Sequence, residues 1–181
     1  MHWFNSGVEA YDKQDYGQAA LAYQTALTFN PSLDEALLNL GHIHVLCKNY
    51  QVALEITQKC VEVSPKWGLA WFNLACIMEM LKMQEAAVSA YRTSSSLMYI
   101  DSNYNLALIL EERGKKQEAL RYWKRYLSCD SSSVWARHAS KRAEAINAEL
   151  KKGWTLCKSP IRIGTRSADE DQTPELALVR A

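Results

Sequence analysis

Apolar positions along the chain return at three- and four-residue steps, as around Leu37, Leu40, His44 and Cys47. That spacing gathers side chains on one face of a helix. It predicts a first set of helices over residues 3–13, 33–48, 69–82 and 103–113. A second set alternates with it over 16–29, 50–63, 84–97 and 116–128. One more regular segment follows from about 133 to 152, with Trp135, Ala139, Arg142, Ala143 and Ile146 on a face towards the fourth pair. Lys141, Glu144 and Lys151 would face water, and Gly153 would end that helix. From there to Ala181, Pro160, Gly164, Ser167 and the Asp169-Glu170-Asp171 run keep no period, so the tail reads as flexible.

The helical pairs repeat. Gly7, Gly41 and Ala75 follow at 34-residue intervals, and Ala107 comes after 32. Ala19, Ala53, Ala87 and Ala119 keep the same register, as do Tyr16 with Tyr50 and Pro31 with Pro65. Small residues at such positions let paired helices approach closely. A glycine inside a helix costs about 1 kcal/mol relative to alanine, so Gly7 and Gly41 imply a packing need. Boundary signals suggest a capping box from Ser32 to Glu35, Pro65 just inside a helix start, Asp101 or Ser102 as a cap, and Gly114 after a helix end.

Trp3-Phe4-Asn5-Ser6-Gly7, Leu37-Leu38-Asn39-Leu40-Gly41 and Trp71-Phe72-Asn73-Leu74-Ala75 resemble the opening of a tetratricopeptide repeat. Asp15-Tyr16-Gly17-Gln18-Ala19, then Tyr23, Ala26 and Pro31, resemble its second half. Tyr104-Asn105-Leu106-Ala107 with Gly114 to Ala119 is similar, although Tyr126 stands at a usually small site and no proline lies near Ser131. The resemblance covers residues 1–130 and implies an all-α fold, a right-handed superhelical solenoid of about four helix–turn–helix repeats. The repeats would be 1–32, 33–66, 67–99 and 100–131, followed by a C-terminal solvating helix at 132–152 and a flexible tail at 153–181. Such motifs say much about fold and little about any one partner.

In that family the first helices line a concave groove. Asn5, Asn39, Asn73 and Asn105 occupy one position of it in all four units. A carboxamide both donates and accepts, so it can pair with both groups of a peptide bond. The resemblance implies such use, because a similar ladder holds a peptide backbone in the repeat domain of the enzyme that attaches N-acetylglucosamine to proteins. Beside the ladder, Phe4, Leu38, Phe72 and Tyr104 form one row, and Val8, His42, Cys76 and Leu108 another. Tyr11, Val45, Glu79 and Glu111 form a third, so acids, with Glu112, gather towards the far end. A ligand with apolar anchors and some positive charge would suit these rows. The lysine and arginine sites by which related domains clamp acidic chaperone tails fall on Phe4, Leu69 and Asn73, which supply no counter-charge.

Composition narrows the classes. With 48% apolar residues the chain can bury a continuous core, and a net charge of +1 argues against a general binder of nucleic acid. No run of about 18 apolar residues predicts a membrane span. The N-terminus lacks the basic and apolar regions of a secretory signal. Five cysteines, Cys47, Cys60, Cys76, Cys129 and Cys157, form no close pair and read as reduced, with three or four packed in helices and a cytoplasmic home. His42 shares a row with Cys76 but lacks an orienting acid, and His44 with Cys47 falls short of a zinc site. Trp67, Trp71, Trp123 and Trp135 fit packing between repeats better than stacking on nucleic-acid bases. Neither catalysis nor a cofactor or metal is expected. The leading expectation is an adaptor that binds a protein or peptide segment. The alternatives are a client-sheltering chaperone like those of type III secretion, self-assembly as a homo-oligomer through the N-terminal repeat, and a tail that occupies the groove through Trp154, Leu156, Ile161 and Ile163.

Overall fold

The computed structural model describes residues 2–156, and every regular element among them is helical. In chain order these are α1 (His2–Asp12), α2 (Tyr16–Phe29), α3 (Asp34–Leu46), α4 (Tyr50–Val63), α5 (Gly68–Met80), α6 (Gln84–Ser96), α7 (Asp101–Glu112), α8 (Lys116–Leu127) and α9 (Val134–Leu156). The chain divides into two compact units, Met1–Tyr99 and Ile100–Ala181. In the first, α1 pairs with α2, α3 with α4 and α5 with α6, while α2 packs on α3 and α4 on α5. In the second, α7 pairs with α8, and α9 packs on α8.

The small residues of the repeat sit where each pair closes. A Cβ at Gly7 would stand 2.6 Å from Tyr23 Cε1, and one at Gly41 would stand 2.6 Å from Thr57 Oγ1. Neither distance leaves room for a methyl group, so glycine permits Tyr23 and Thr57 to lie across the first helices. Ala19, Ala53, Ala87 and Ala119 are fully buried on the facing helices. The core of the first unit forms around these contacts. Tyr23, Leu40 and Ile43 join α1, α2 and α3, and Leu37, Leu54, Leu74 and Ile77 join α3, α4 and α5.

One turn closes all four pairs. Gln14, Lys48, Lys82 and Gly114 have φ of 59°, 60°, 61° and 72°, the left-handed region. The next residue's N–H reaches back five residues: Asp15 to Ala10 O (2.9 Å), Asn49 to His44 O, Met83 to Met78 O and Lys115 to Leu110 O (2.8 Å each). This is the Schellman ending, which satisfies carbonyls that a helix terminus leaves open. Gly114 therefore ends α7 as the sequence suggests.

Other boundary readings are corrected. Ser32 does not cap α3: its N–H is taken by Asn30 Oδ1 (3.2 Å), and Leu33 holds the cap position by accepting from the Leu37 N–H (3.0 Å). The capping box to Glu35 is thus not formed. Pro65 lies in a turn rather than inside a helix, since Trp67 N–H bonds Ser64 O (3.0 Å) and α5 starts only at Gly68. Its carbonyl accepts the Trp71 indole N–H at 2.9 Å. Neither Asp101 nor Ser102 caps α7, because Ile100 occupies that place and its carbonyl takes both the N–H and Nδ2 of Asn103 (2.9 and 3.1 Å). Helix α9 does begin with a side-chain cap. The Ala136 N–H bonds Ser133 Oγ at 3.0 Å, and the Ser133 hydroxyl and N–H bond Asp130. With the Tyr126 hydroxyl they hold the Asp130 carboxyl well below the usual range. The helix also passes Gly153 to end at Leu156, a glycine inside a helix being tolerable at about 1 kcal/mol. The expectation of a flexible tail lies outside the described residues beyond that point.

Candidate interaction face

The asparagine positions define a face on the first helices of the first unit. On α1 the spacing aligns Asn5, Val8 and Asp12; on α3 it aligns Glu35, Asn39, His42 and Leu46; on α5 it aligns Leu69, Asn73, Cys76 and Met80. Asn5 is exposed, whereas Asn39, Asn73, Phe4, Val8 and His42 are half-buried. Leu38 (6% exposed), Phe72 (1%) and Cys76 (6%) are not open rows of a groove. They belong to the packing between helices, where Phe72 meets the rings of Tyr91 and Tyr99 at 5.7 and 5.0 Å.

Hydrogen bonds hold several polar side chains on and beside this face. Asn39 Nδ2 donates to the Tyr23 hydroxyl at 3.2 Å. Tyr11 Oη lies 2.9 Å from His42 Nδ1 and joins α1 to α3. Burial lowers the His42 pKa, keeping the ring neutral at pH 7, and burial raises that of Tyr11, so the phenol keeps its proton. Cys76 Sγ is 3.2 Å from Tyr91 Oη, and the same hydroxyl donates to Glu79. Burial, then the neighbouring Cys76 and Glu79, push the Tyr91 pKa far up. Among the described residues, Asn73 Oδ1 is buried and meets no hydrogen-bond donor. A buried acceptor left so costs about 1–3 kcal/mol.

The second unit treats the matching positions differently. Asn105 (1% exposed) and Tyr104 (3%) are interior residues, and Leu108 is half-buried. Tyr104 is ringed by Trp123, Tyr126 and Trp135 at 5.0, 5.3 and 5.4 Å, and its hydroxyl lies 2.7 Å from His138 Nδ1. The expectation that these two side chains line an open trough is therefore corrected. The acids of the third row are also engaged. Glu79 accepts from Tyr91, while Glu111 accepts from Trp123 Nε1 (3.3 Å) and pairs with the Arg142 guanidinium. Sequence reading placed Arg142 on the inner face of α9 but did not find its partner. A signal existed: the 31-residue offset from Glu111 to Arg142 is also the offset from Tyr11 to His42.

His42 is engaged with Tyr11, and Cys76 with Tyr91. Cys60, buried beside Asp34, is pushed up to about 12 and stays a thiol at neutral pH. Of the four described cysteines only Cys60 and Cys76 are buried; Cys47 and Cys129 are exposed, because both stand at helix ends rather than on a core face. Packing therefore explains neither Cys47 nor Cys129. Among the described residues no group of three or more histidine, cysteine or acidic side chains could hold a metal ion. None of the described helices is long and apolar enough to cross a membrane. Trp123 is fully buried, and Trp67 and Trp71 pack against the core of the first unit.

Comparison with known proteins agrees with this architecture. A model described as TPR repeat matches residues 7–46, and models described as tetratricopeptide repeat match 34–66 and 101–128. The BBSome complex member BBS4 of Bos taurus is 26% identical over 162 residues, which is 85% of this chain and 31% of that protein. Among the curated relatives matched, the chain spans between 8% and 31% of their length. A crystal structure of MamA superposes with a TM-score of 0.67 at 20% identity, over 90% of this chain and 96% of that one. YrrB, described as a TPR protein with an unusual peptide-binding site, gives 0.67 at 17% identity over 82% of this chain and 76% of that one. At these identities the two structures speak to the fold alone. Helix–turn–helix pairs closed by one recurring turn, small residues at each crossing and repeat models matching in that register lead to one assignment: the chain belongs to the tetratricopeptide repeat family.

Proposed function

We propose that the chain is a non-catalytic interaction module, an adaptor that holds an extended protein segment against the face formed by α1, α3 and α5. The observation that carries this reading is the repeated asparagine, Asn5, Asn39 and Asn73, at one position of three successive first helices. An extended backbone presents N–H and C=O groups at regular intervals. A carboxamide both donates and accepts, so a row of them can pair with both groups of such a backbone. Phe4, Val8, Leu69 and Met80 offer partly covered apolar surface for anchor side chains. The peptide-binding description of YrrB and the complex membership of BBS4 belong to those proteins, and they support a binding role for this fold.

The test is affinity capture on the immobilised full chain and on Asn39→Ala/Asn73→Ala, read by mass spectrometry. Both side chains are only half-buried, so the variant should keep the helicity of the parent while partners held by the parent are lost. Capture that is unchanged would remove the asparagines from the mechanism.

A further inference from the structure

We infer that the segment held on the α1–α3–α5 face is basic as well as apolar, with Lys or Arg flanking its anchor side chains; this rests on the docking reading above. The argument starts from how charge is distributed in the first unit. Helices α1, α3 and α5 carry Glu9, Asp12, Asp34, Glu35 and Glu79 and contain no lysine or arginine. The cations of the unit lie elsewhere. Lys13, Lys48 and Lys82 follow the ends of the first helices, Lys66 sits in the turn before α5, and Lys59 and Arg92 belong to α4 and α6.

Two of the acids stand on the asparagine stripe itself. Glu35 is one turn before Asn39, and Asp12 is one turn beyond Val8. Both are exposed, as is Glu9, and among the described residues none of these three carboxylates is in an ion pair. The same stripes carry Val8, Leu46, Leu69 and Met80, so apolar and negative side chains share this face. An acidic segment would meet like charge at Asp12 and Glu35. A neutral apolar one would leave the carboxylates desolvated without a partner. A segment that offers cations to Asp12 and Glu35 and apolar side chains to the rest of the face avoids both penalties. The second unit displays that chemistry within its own chain, where the guanidinium of Arg142 takes the Glu111 carboxylate at 3.3 Å from Nε.

The experiment is selection of displayed random twelve-residue peptides on the full-length chain. Selected peptides are then titrated against the parent, Asp12→Asn/Glu35→Gln and Asn39→Ala/Asn73→Ala. The expected pool is rich in Lys and Arg beside Leu, Ile or Phe. Its members should lose about fivefold in affinity on the charge-neutralised variant, the scale of two exposed ion pairs. A pool that depends on the asparagines but is neutral or acidic would overturn the charge inference and leave docking in place. A pool indifferent to the asparagines, or no selected peptide at all, would overturn both.

Discussion

At the residue scale, left-handed backbone recurs at one place in every helical pair, and only the fourth pair meets it with glycine. Gln14, Lys48 and Lys82 carry a Cβ through the same φ that Gly114 adopts freely. For an L-residue that region costs about 1 kcal/mol or more. Lys82→Gly should therefore raise unfolding free energy by about 1 kcal/mol, as read from the denaturant midpoint at unchanged slope. A drop would mean that the lysine side chain contributes more than the backbone does. His42 offers a second test. Burial lowers its pKa, so below about pH 6.5 the unfolded chain binds a proton that the folded ring resists. The stability linked to His42 is complete above that pH and falls as pH drops towards the folded value. Denaturation at pH 7.5 and 5.5 should show a smaller gap for His42→Gln than for the parent. Equal gaps would assign the acid sensitivity to other groups.

The second helices were legible as elements because Tyr16, Tyr50, Gln84 and Lys116 each follow directly from the recurring turn, and their starts were placed to the residue. The starts of α3, α5 and α7 were not. Ser32, Pro65 and Asp101 are common starting residues, but Asn30 Oδ1, the Ser64 carbonyl and the Ile100 carbonyl had already claimed the local donors. Capping depends on which of several nearby acceptors wins, and spacing alone does not decide that. Helix α9 was foreseen as an amphipathic cover, but its ion pair was not. Since Arg142 is 43% exposed, the pair should contribute little. A double-mutant cycle of Glu111→Gln with Arg142→Ala should give a coupling below about 1 kcal/mol. Hydrogen exchange should nevertheless quicken along α9 in Arg142→Ala, since the pair ties it to α7. Unchanged protection would show that Tyr104, Trp135 and Ile146 hold the helix without it.

Across the whole molecule, the repeat register revealed the fold and only part of the candidate face. Asn5 and Asn105 share residue type and position, yet one is exposed and the other is 1% exposed. Phe72 and Tyr104 likewise read as groove rows and proved to be core. Periodicity tells which way a side chain leaves its helix. Whether anything covers it depends on the size of residues brought by other helices, as Trp123 and Trp135 do around Tyr104. The account as a whole stands on Asn39 and Asn73 touching a bound chain. Side-chain amide NMR of the full-length protein, titrated with a peptide from the display selection, tests this most directly. The Nδ2 resonances of Asn39 and Asn73 should shift and saturate together while those of Asn49 and Asn147 stay in place. Shifts confined to the second helices, with Asn39 and Asn73 silent at saturation, would contradict it.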